Sequence, residues 1–480
     1  MSDNAPQVAV IGAGVAGLAT AFNLERDAAS RGVKLDLTLF ESAAEIGGYL
    51  RTMRQKGYTI EVGPNGFLDN EPATLRLVDR LNVNALLQRS SDATRHRYLL
   101  VGGRMRALPM TPPAFIKSDL LSIGAKMRMA CEFFIPPRDD LGRAALDPDT
   151  DETVYEFGRR RLGAEFSEVM LDPMVKGIFG GDARRLSLAA AFPRMVELEK
   201  NYGGLFKALI KLSRARKKSG QASASPGPSG VLHSFDGGMA TLTDRLAGAL
   251  HATIHTSSPI SRVWSEGKRW HIAAGSKTFG PFGAVVDAAP AHAIAHHLAD
   301  PDLCKQLAGI PYVPMAVITL AYHRSRVAHD LNGFGMLIPS REKRNLLGVL
   351  WSSSIFPGRS PEGKVLLRCM AGGPGRLDIL QHDDASLVEM CLDDLRELYG
   401  LQGQPEDFWI IRHRQAIAQY EPGHLARLLE IERALDRQPG LFLTGSSYHG
   451  ISVNYCVKEA EISSMRVLEF LRSPGSSWKG

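Results

Sequence analysis

Val8-Ala-Val-Ile-Gly-Ala-Gly-Val-Ala-Gly-Leu18 reads as a buried strand that runs straight into a Gly-x-Gly-x-x-Gly turn and then a helix. Each glycine has its own reason to be there. Gly12 permits the tight turn, Gly14 lets the backbone approach a pyrophosphate, and Gly17 lets the helix lie close on the sheet with its N-terminus toward the anion. Glu41 follows 24 residues beyond Gly17, at the end of a second apolar strand, Leu35-Asp-Leu-Thr-Leu-Phe40. A carboxylate there can accept the ribose hydroxyls of an adenosine half. A glycine fingerprint alone also fits an ordinary strand-helix turn. Strand, helix and Glu41 together predict a dinucleotide site.

Two further turns separate a flavin from a nicotinamide. Ile46-Gly-Gly-Tyr-Leu-Arg-Thr52 is a glycine turn carrying a cation, and Glu61-Val-Gly-Pro-Asn-Gly66 is a third turn shortly after it. A nicotinamide dehydrogenase has no need of either. Their order resembles the flavin-containing amine oxidase superfamily, in which the first lies along the diphosphate and the second beside the isoalloxazine ring. The resemblance implies non-covalent FAD. Arg51 would then turn a guanidinium fork toward the diphosphate; the plainer reading of it is a surface ion pair.

The 480 residues exceed what one core holds and predict two or three domains. Five cysteines, odd in number and never in a C-x-x-C pair, argue for a reducing compartment without a disulfide framework and read as small buried hydrophobes. The 14 histidines show no ligand spacing, so no metal is expected, and His292, His296 and His297 read as a solvated helix face. The opening residues are polar and run directly into the first strand, which predicts no leader. No run approaches the roughly 20 apolar residues that cross a bilayer. A formal charge of +6 favours anionic partners, and the basic residues are not interleaved with aromatics, which disfavours nucleic acid.

The expected architecture is α/β and α+β. A discontinuous Rossmann-like FAD-binding domain takes residues 1–90, 231–293 and 431–480, and a mixed-sheet substrate domain takes 91–107 and 294–430. A helical, membrane-binding domain is expected over 108–218 and a flexible linker over 219–230, where Ser, Gly and Pro crowd. Within the helical part, residues 108–137 place large apolar groups beside Lys117, Lys126 and Arg128. A helix over 201–218 aligns Leu205, Leu209 and Leu212 and ends in Arg214, Arg216, Lys217 and Lys218. Such a pattern suits a membrane interface or a core-packed helix with a solvated basic end. The last helix is expected over 454–471, with Glu459 and Glu461 in an acidic first turn.

Asp151-Glu-Thr-Val154, Gly177-Ile-Phe-Gly-Gly-Asp182, His96-Arg-Tyr-Leu-Leu-Val-Gly-Gly103, Gln419-Tyr-Glu-Pro-Gly-His424 and Gly445-Ser-Ser-Tyr-His-Gly-Ile-Ser-Val-Asn454 narrow the resemblance. Nearly the whole chain is similar to the oxygen-dependent protoporphyrinogen oxidase family. The resemblance implies that Gly12, Gly14, Ala16, Gly17, Glu41, Ser42, Gly48, Tyr49 and Arg51 hold the adenosine diphosphate half of FAD, with Ile260 by the adenine through its backbone. Gly63, Pro64, Asn65, Gly66, Ile451, Ser452 and Val453 would adjoin the isoalloxazine, and Ser446 the ribityl chain. It further implies that Arg97 holds a propionate and that Phe334, Leu337, Leu350 and Met370 clamp a macrocycle. The Gly177 carbonyl would face the pyrrole nitrogens. Tyr49 stands where the family often has glycine, and Ser446 where many relatives carry aspartate.

The implied activity is oxidation of protoporphyrinogen IX to protoporphyrin IX with oxygen as acceptor, in haem biosynthesis. The flavin carries the chemistry, so no side-chain acid or base is expected. Oxidation of coproporphyrinogen III, with four carboxylates and Lys176 as a candidate extra cation, stays open. So do a non-catalytic flavin-fold scaffold or lipid-handling protein and a different FAD oxidase acting on amines. Expected partners are the porphyrinogen, oxygen and a membrane surface; a homodimer stays open. The expected location is cytoplasmic and peripheral to a membrane, in a bacterium.

Overall fold

The computed structural model describes residues 5–218 and 230–472, so most of the expected linker lies outside the described residues. Five parallel strands form one sheet, ordered Thr253–His255, Asp36–Phe40, Gln7–Ile11, Ala284–Asp287 and Leu441–Leu443. Alternate residues feed opposite faces, as the two-residue period of a strand demands. Val8, Val10, Leu37, Leu39 and Val286 pack beneath the helices Val15–Ser30 and Val453–Arg472. Ala9, Ile11, Phe40 and Val285 pack against an antiparallel sheet of Ile260–Glu266, Arg269–Ala274 and Lys277–Phe282. Apolar packing on both faces explains why these strands read as nearly unbroken hydrophobic runs. The sheet draws on three distant stretches of chain. The dinucleotide unit is therefore discontinuous, and the helices Pro301–Ala308 and His424–Asp436 share the core of its three-stranded sheet.

A second sheet has seven strands in the order Asp407–Ala418, Tyr312–His323, Lys364–Gly372, Leu346–Trp351, Gly335–Leu337, Tyr98–Val101 and Arg104–Ala107. All its pairings are antiparallel except that of Gly335–Leu337 with Tyr98–Val101. Ala316, Ile318, Leu320, Val349, Leu367 and Cys369 bury one face under the helix Asp384–Tyr399. The other face turns toward the glycine turns. There Ala321, Leu366 and Trp409 pack on Tyr58 and Ile60 of the hairpin Thr52–Gln55 and Tyr58–Glu61.

The segment from 112 to 218 is helical, and buried charge ties it together. Arg160 grips Glu152 and Glu199 with its fork, while fully buried Arg161 pairs with Glu132 and reaches the carbonyls of Ile135 and Pro136. Glu132 in turn accepts from the amides of Leu205 (2.7 Å) and Phe206 (3.1 Å), satisfying the open N-terminus of the last helix of the segment. Buried charges are tolerated here because every one of them has several partners.

Four expectations need correction. The helix expected over 201–218 is Leu205–Lys218, because Gly203 and Gly204 take positive φ (77° and 151°) and cut it from Pro193–Tyr202. The last helix starts at Val453, so Glu459 and Glu461 lie beyond its first turn, and Glu461 pairs with Arg76 at 2.6 Å. His297 is buried, its Nε2 lying 2.6 Å from Oδ2 of fully buried Asp287, so the three histidines do not form one solvated face. Cys369, Cys391 and Cys456 are buried as expected, but Cys131 is exposed.

Candidate functional site

The first turn is packed backbone on backbone. Gly12 holds φ +90° while its amide donates to the Phe40 carbonyl at 2.7 Å, and a Cβ added to Gly17 would fall 1.9 Å from the Gly12 carbonyl oxygen. Only glycine fits at Gly17. The helix Val15–Ser30 thus begins flush against the strand with Gly14 as its N-cap and no side chain capping it, leaving its first amides available to an anion. The second turn closes on the first: the Gly47 amide donates to the Ala13 carbonyl (2.8 Å), and a Cβ on Gly48 would lie 3.3 Å from the Gly14 Cα.

Glu41 is anchored between these parts. Its Oε2 accepts from the Ala13 amide at 2.8 Å, and its Oε1 accepts from the Ala43 amide at 2.9 Å and the Ser42 hydroxyl at 3.2 Å. The Ser258 amide donates to the Glu41 carbonyl, which sets the strand beginning at Ile260 beside the carboxylate. Arg51 is exposed and makes a long 3.5 Å pair with exposed Glu45, an interaction too weak to compete with a phosphate. From the far end of the chain, Gly445 returns to Ala16: a Cβ added to it would lie 3.9 Å from that of Ala16. The neighbouring Ser446 carbonyl accepts from the Tyr420 hydroxyl (2.8 Å), and Ile451, Ser452 and Val453 lead into the last helix.

The third turn is as close-packed as the first. Added Cβ atoms would fall 2.3 Å from the Tyr49 carbonyl at Gly63 and 2.3 Å from the His233 carbonyl at Gly66. Nδ2 of Asn65 is buried without a protein partner, a donor aimed at something the chain does not supply. Tyr49 does more than a glycine could. Its hydroxyl donates to the Gln415 carbonyl at 2.7 Å, and its ring meets His413 edge-on, joining the glycine turn to the outermost strand of the seven-stranded sheet. Burial holds the His413 imidazole below the usual histidine range, and the nearby Arg368 and Arg51 charges push the same way.

Opposite these turns lies the open face of the larger sheet. Leu337 opposes Gly348, which opposes Met370, and Leu350 opposes Arg368, so the side chains of Leu337, Leu350, Met370 and Arg368 share one face. Leu337, Leu350 and Met370 are half-buried, as walls of a recess are, whereas their neighbours on the other face are closed over. Gly177 adjoins them from the helix Asp172–Phe179, where an added Cβ would lie 2.9 Å from Leu337 Cδ2. Gly177 is in the last turn, where carbonyls have no intrahelical partner. The Gly180 amide takes the Lys176 carbonyl and Gln419 Nε2 takes that of Phe179, leaving the Gly177 carbonyl without a protein donor among the described residues.

Arg97 stands at the end of this recess. The Phe334 amide donates to the His96 carbonyl at 2.8 Å, setting the Phe334 ring 5.4 Å from the Arg97 guanidinium. That stack is the only contact of the Arg97 side chain with a charged or aromatic group among the described residues. Partial burial lowers its pKa, as expected of a cation with no carboxylate beside it. Lys176, half-buried, brings Nζ within 3.5 Å of the Ile338 carbonyl, and burial lowers its pKa too.

Sequence reasoning overlooked Arg368. The signal was a lone charge inside an otherwise apolar strand, Val365-Leu-Leu-Arg-Cys-Met-Ala371.

The family described as flavin containing amine oxidoreductase matches residues 15–468. A coproporphyrinogen III oxidase of Bacillus subtilis is 27% identical over 98% of this chain and 100% of its own. The mitochondrial protoporphyrinogen oxidase of Nicotiana tabacum is 30% identical over 99% of this chain and 97% of its own. A crystal structure from Exiguobacterium superposes with a TM-score of 0.80 over 97% of this chain and 99% of that one, at 23% identity, and shows the same fold. The three glycine turns, in which a Cβ would fill the space, and the unpartnered Asn65 amide fit a flavin cofactor.

Proposed function

On the premise that the chain belongs to the flavin containing amine oxidoreductase family and is a flavin-dependent oxidoreductase, we propose that it binds FAD non-covalently and oxidises a porphyrinogen. Protoporphyrinogen IX is the first candidate and oxygen the electron acceptor, in haem biosynthesis. One observation carries the reading: a half-buried Arg97 with no carboxylate partner, stacked on Phe334 beside an apolar recess. A cation at the end of a greasy slot recognises an apolar body with an acidic edge. Among substrates of the named relatives, a porphyrinogen has that character.

The adenosine end of FAD would rest on Gly12, Gly14, Ala16, Gly17, Gly48 and Arg51, with Glu41 and Ser42 at its ribose, and its ring on Gly63 to Gly66 opposite Ile451 to Val453. When bound, the flavin supplies a two-electron acceptor for a methylene hydrogen of the substrate. The chain's own residues orient and exclude water. Arg97 fixes one propionate; Leu337, Leu350 and Met370 hold the macrocycle; the Gly177 carbonyl accepts from a pyrrole N–H. None of these steps needs a side-chain acid or base.

Coproporphyrinogen III is the second reading, favoured by the Bacillus relative and by Lys176, a half-buried ammonium one residue from Gly177. Porphyrin fluorescence in air, followed over a concentration series of each porphyrinogen, separates the two. A larger kcat/KM for protoporphyrinogen IX is expected; preference for coproporphyrinogen III reassigns the substrate, and no porphyrin from either removes the reading.

The helical segment supports peripheral membrane attachment. Ile116, Ile123, Met127 and Phe134 are exposed, Ile123 by 78% and Phe134 by 82%, and Lys207 lies 5.4 Å over the Phe133 ring. No helix among the described residues is long and apolar enough to cross a bilayer, so the fit is to an interface. Co-sedimentation with anionic vesicles is expected, weakened by Ile123→Ser with Phe134→Ser; no sedimentation at low salt excludes it.

A further inference from the structure

Behind the Gly63 to Gly66 turn lies a cluster of buried charges that does not balance. Glu61, two residues before the turn, is spent on Arg359: Nη1 of Arg359 donates to its Oε1 at 2.6 Å, while the Met239 amide and the Thr52 hydroxyl complete its shell. Arg368 is a second buried guanidinium. Its Nη2 donates to the Gly63 carbonyl at 2.6 Å, and it makes no ion pair among the described residues. Glu61, Arg359 and Arg368 are all at least 95% buried, and together they hold one negative and two positive charges. His413, whose Nε2 lies 3.0 Å from the Val62 carbonyl, adds no counter-charge, because an imidazole is either neutral or positive.

A buried cation without a carboxylate is costly. Burial pushes the Arg368 guanidinium down to about 10, opposed only by the Glu61 charge. Neither its Nε nor the hydroxyl of Thr319, directly across the sheet from it, has a protein partner. With Asn65 Nδ2 and Nε of Arg359, four orphaned polar atoms thus lie in this turn and the cluster behind it. Such concentration of unpaired polarity marks a place where charge from outside the chain is accommodated.

We propose that Arg368 is the electrostatic positioning residue of the flavin site: it fixes the Gly63 carbonyl and offers a buried positive charge to the negative charge the ring gains on reduction. The inference rests on the flavin reading of the Gly63 to Gly66 turn. When bound, the flavin would supply a two-electron acceptor for the hydride of a substrate C–H bond and would then carry one negative charge, while the substrate's pyrrole proton would leave to bulk solvent. Arg368 exchanges no proton in this. Its field favours the charged, reduced ring, because a preorganised charge in a dry site acts without reorganisation.

The test is the two-electron midpoint potential of the holoprotein, with Arg368→Met and Arg368→Lys as variants and sulfite as a second probe. Sulfite adds to oxidised flavin and leaves a negative charge on the ring, so it reports the same field without turnover. Arg368→Met is expected to lower the equilibrium constant for reduction roughly 10- to 100-fold, about 30 to 60 mV for a two-electron couple, and to weaken sulfite binding in parallel. Arg368→Lys, which keeps the charge, is expected to stay within about threefold of the parent on both readouts. An unmoved potential in the Met variant overturns the proposal, and so does an equal fall in both variants, which would make Arg368 a packing residue. Should the Met variant not fold, the parent still decides: a yellow protein that forms no sulfite adduct overturns the inference. A colourless parent overturns the flavin reading instead.

Discussion

The two walls of the proposed site are built in opposite ways. On the glycine-turn side, contact is made by backbone: Gly17, Gly63 and Gly66 are so tightly packed that an added Cβ would come within 2.3 Å of a carbonyl oxygen. On the sheet side, the surface is made of half-buried side chains at register positions, Leu337, Leu350 and Met370, with Arg97 at one end. Backbone recognition is brittle, because no neighbouring atom can move aside. Side-chain recognition is graded, since apolar walls tolerate exchange and only the cation at their end, Arg97, has no substitute. One wall is thus suited to a fixed cofactor and the other to a substrate that must enter and leave.

Four changes break or sharpen that contrast, in order of expected effect. Gly17→Val should be the harshest, because its side chain starts 1.9 Å from the Gly12 carbonyl oxygen; a cost above about 3 kcal/mol should leave a protein that purifies without yellow colour. Flavin absorbance beside far-ultraviolet circular dichroism reads cofactor loss apart from unfolding, and a yellow variant would show the turn to be pliable.

The second effect is pH dependence in the segment that closes the glycine side. His424 stacks on Tyr420 and donates from Nε2 to the Tyr448 carbonyl at 2.8 Å, and burial brings its pKa down to about 4. An unfolded chain has about 6.5. Between these values the unfolded state binds more protons, so stability is full above about pH 6.5 and declines as pH falls toward 4. The loss reaches about 3 kcal/mol. Urea midpoints measured from pH 7.5 to 4.5 should fall more steeply in the parent than in His424→Gln, and parallel slopes would clear His424 of the role.

On the sheet side, Arg97→Ala should lower kcat/KM by a factor corresponding to about 1.5 to 3 kcal/mol, mainly through KM, because the cation holds substrate and transition state alike. An unchanged KM would take Arg97 out of the site. Leu350→Met, close in volume, should cost less than about 1.5 kcal/mol in steady-state kinetics, and a larger loss would mean that this wall is as exacting as the other.

The same contrast explains what could be read in advance. Backbone recognition leaves glycines at fixed spacing, so Gly12, Gly14, Gly17, Gly48, Gly63 and Gly66 stood out as sequence, and the structure packs them as three interlocking turns. The sheet-side wall is assembled from strands more than 200 residues apart in the chain, Tyr98–Val101 beside Gly335–Leu337, and no local period announces that pairing. Leu337, Leu350 and Met370 were legible only through resemblance to a family, since apolar residues on strands are ordinarily core. Arg368 escaped because its meaning is collective. A charge in an apolar strand becomes informative only when the structure shows that Glu61 is already taken by Arg359. Helix ends shifted where Gly203 and Gly204 interrupted a continuous amphipathic pattern, since periodicity reports a face but not a break.

Both walls must act together for the central claim to hold. Mixing the purified yellow protein with protoporphyrinogen IX in the absence of oxygen, and following flavin absorbance and porphyrin fluorescence in one stopped-flow trace, tests this directly. The account predicts bleaching of the flavin in step with substrate oxidation and return of the yellow colour when oxygen is admitted. A flavin that stays oxidised in the presence of either porphyrinogen would contradict it.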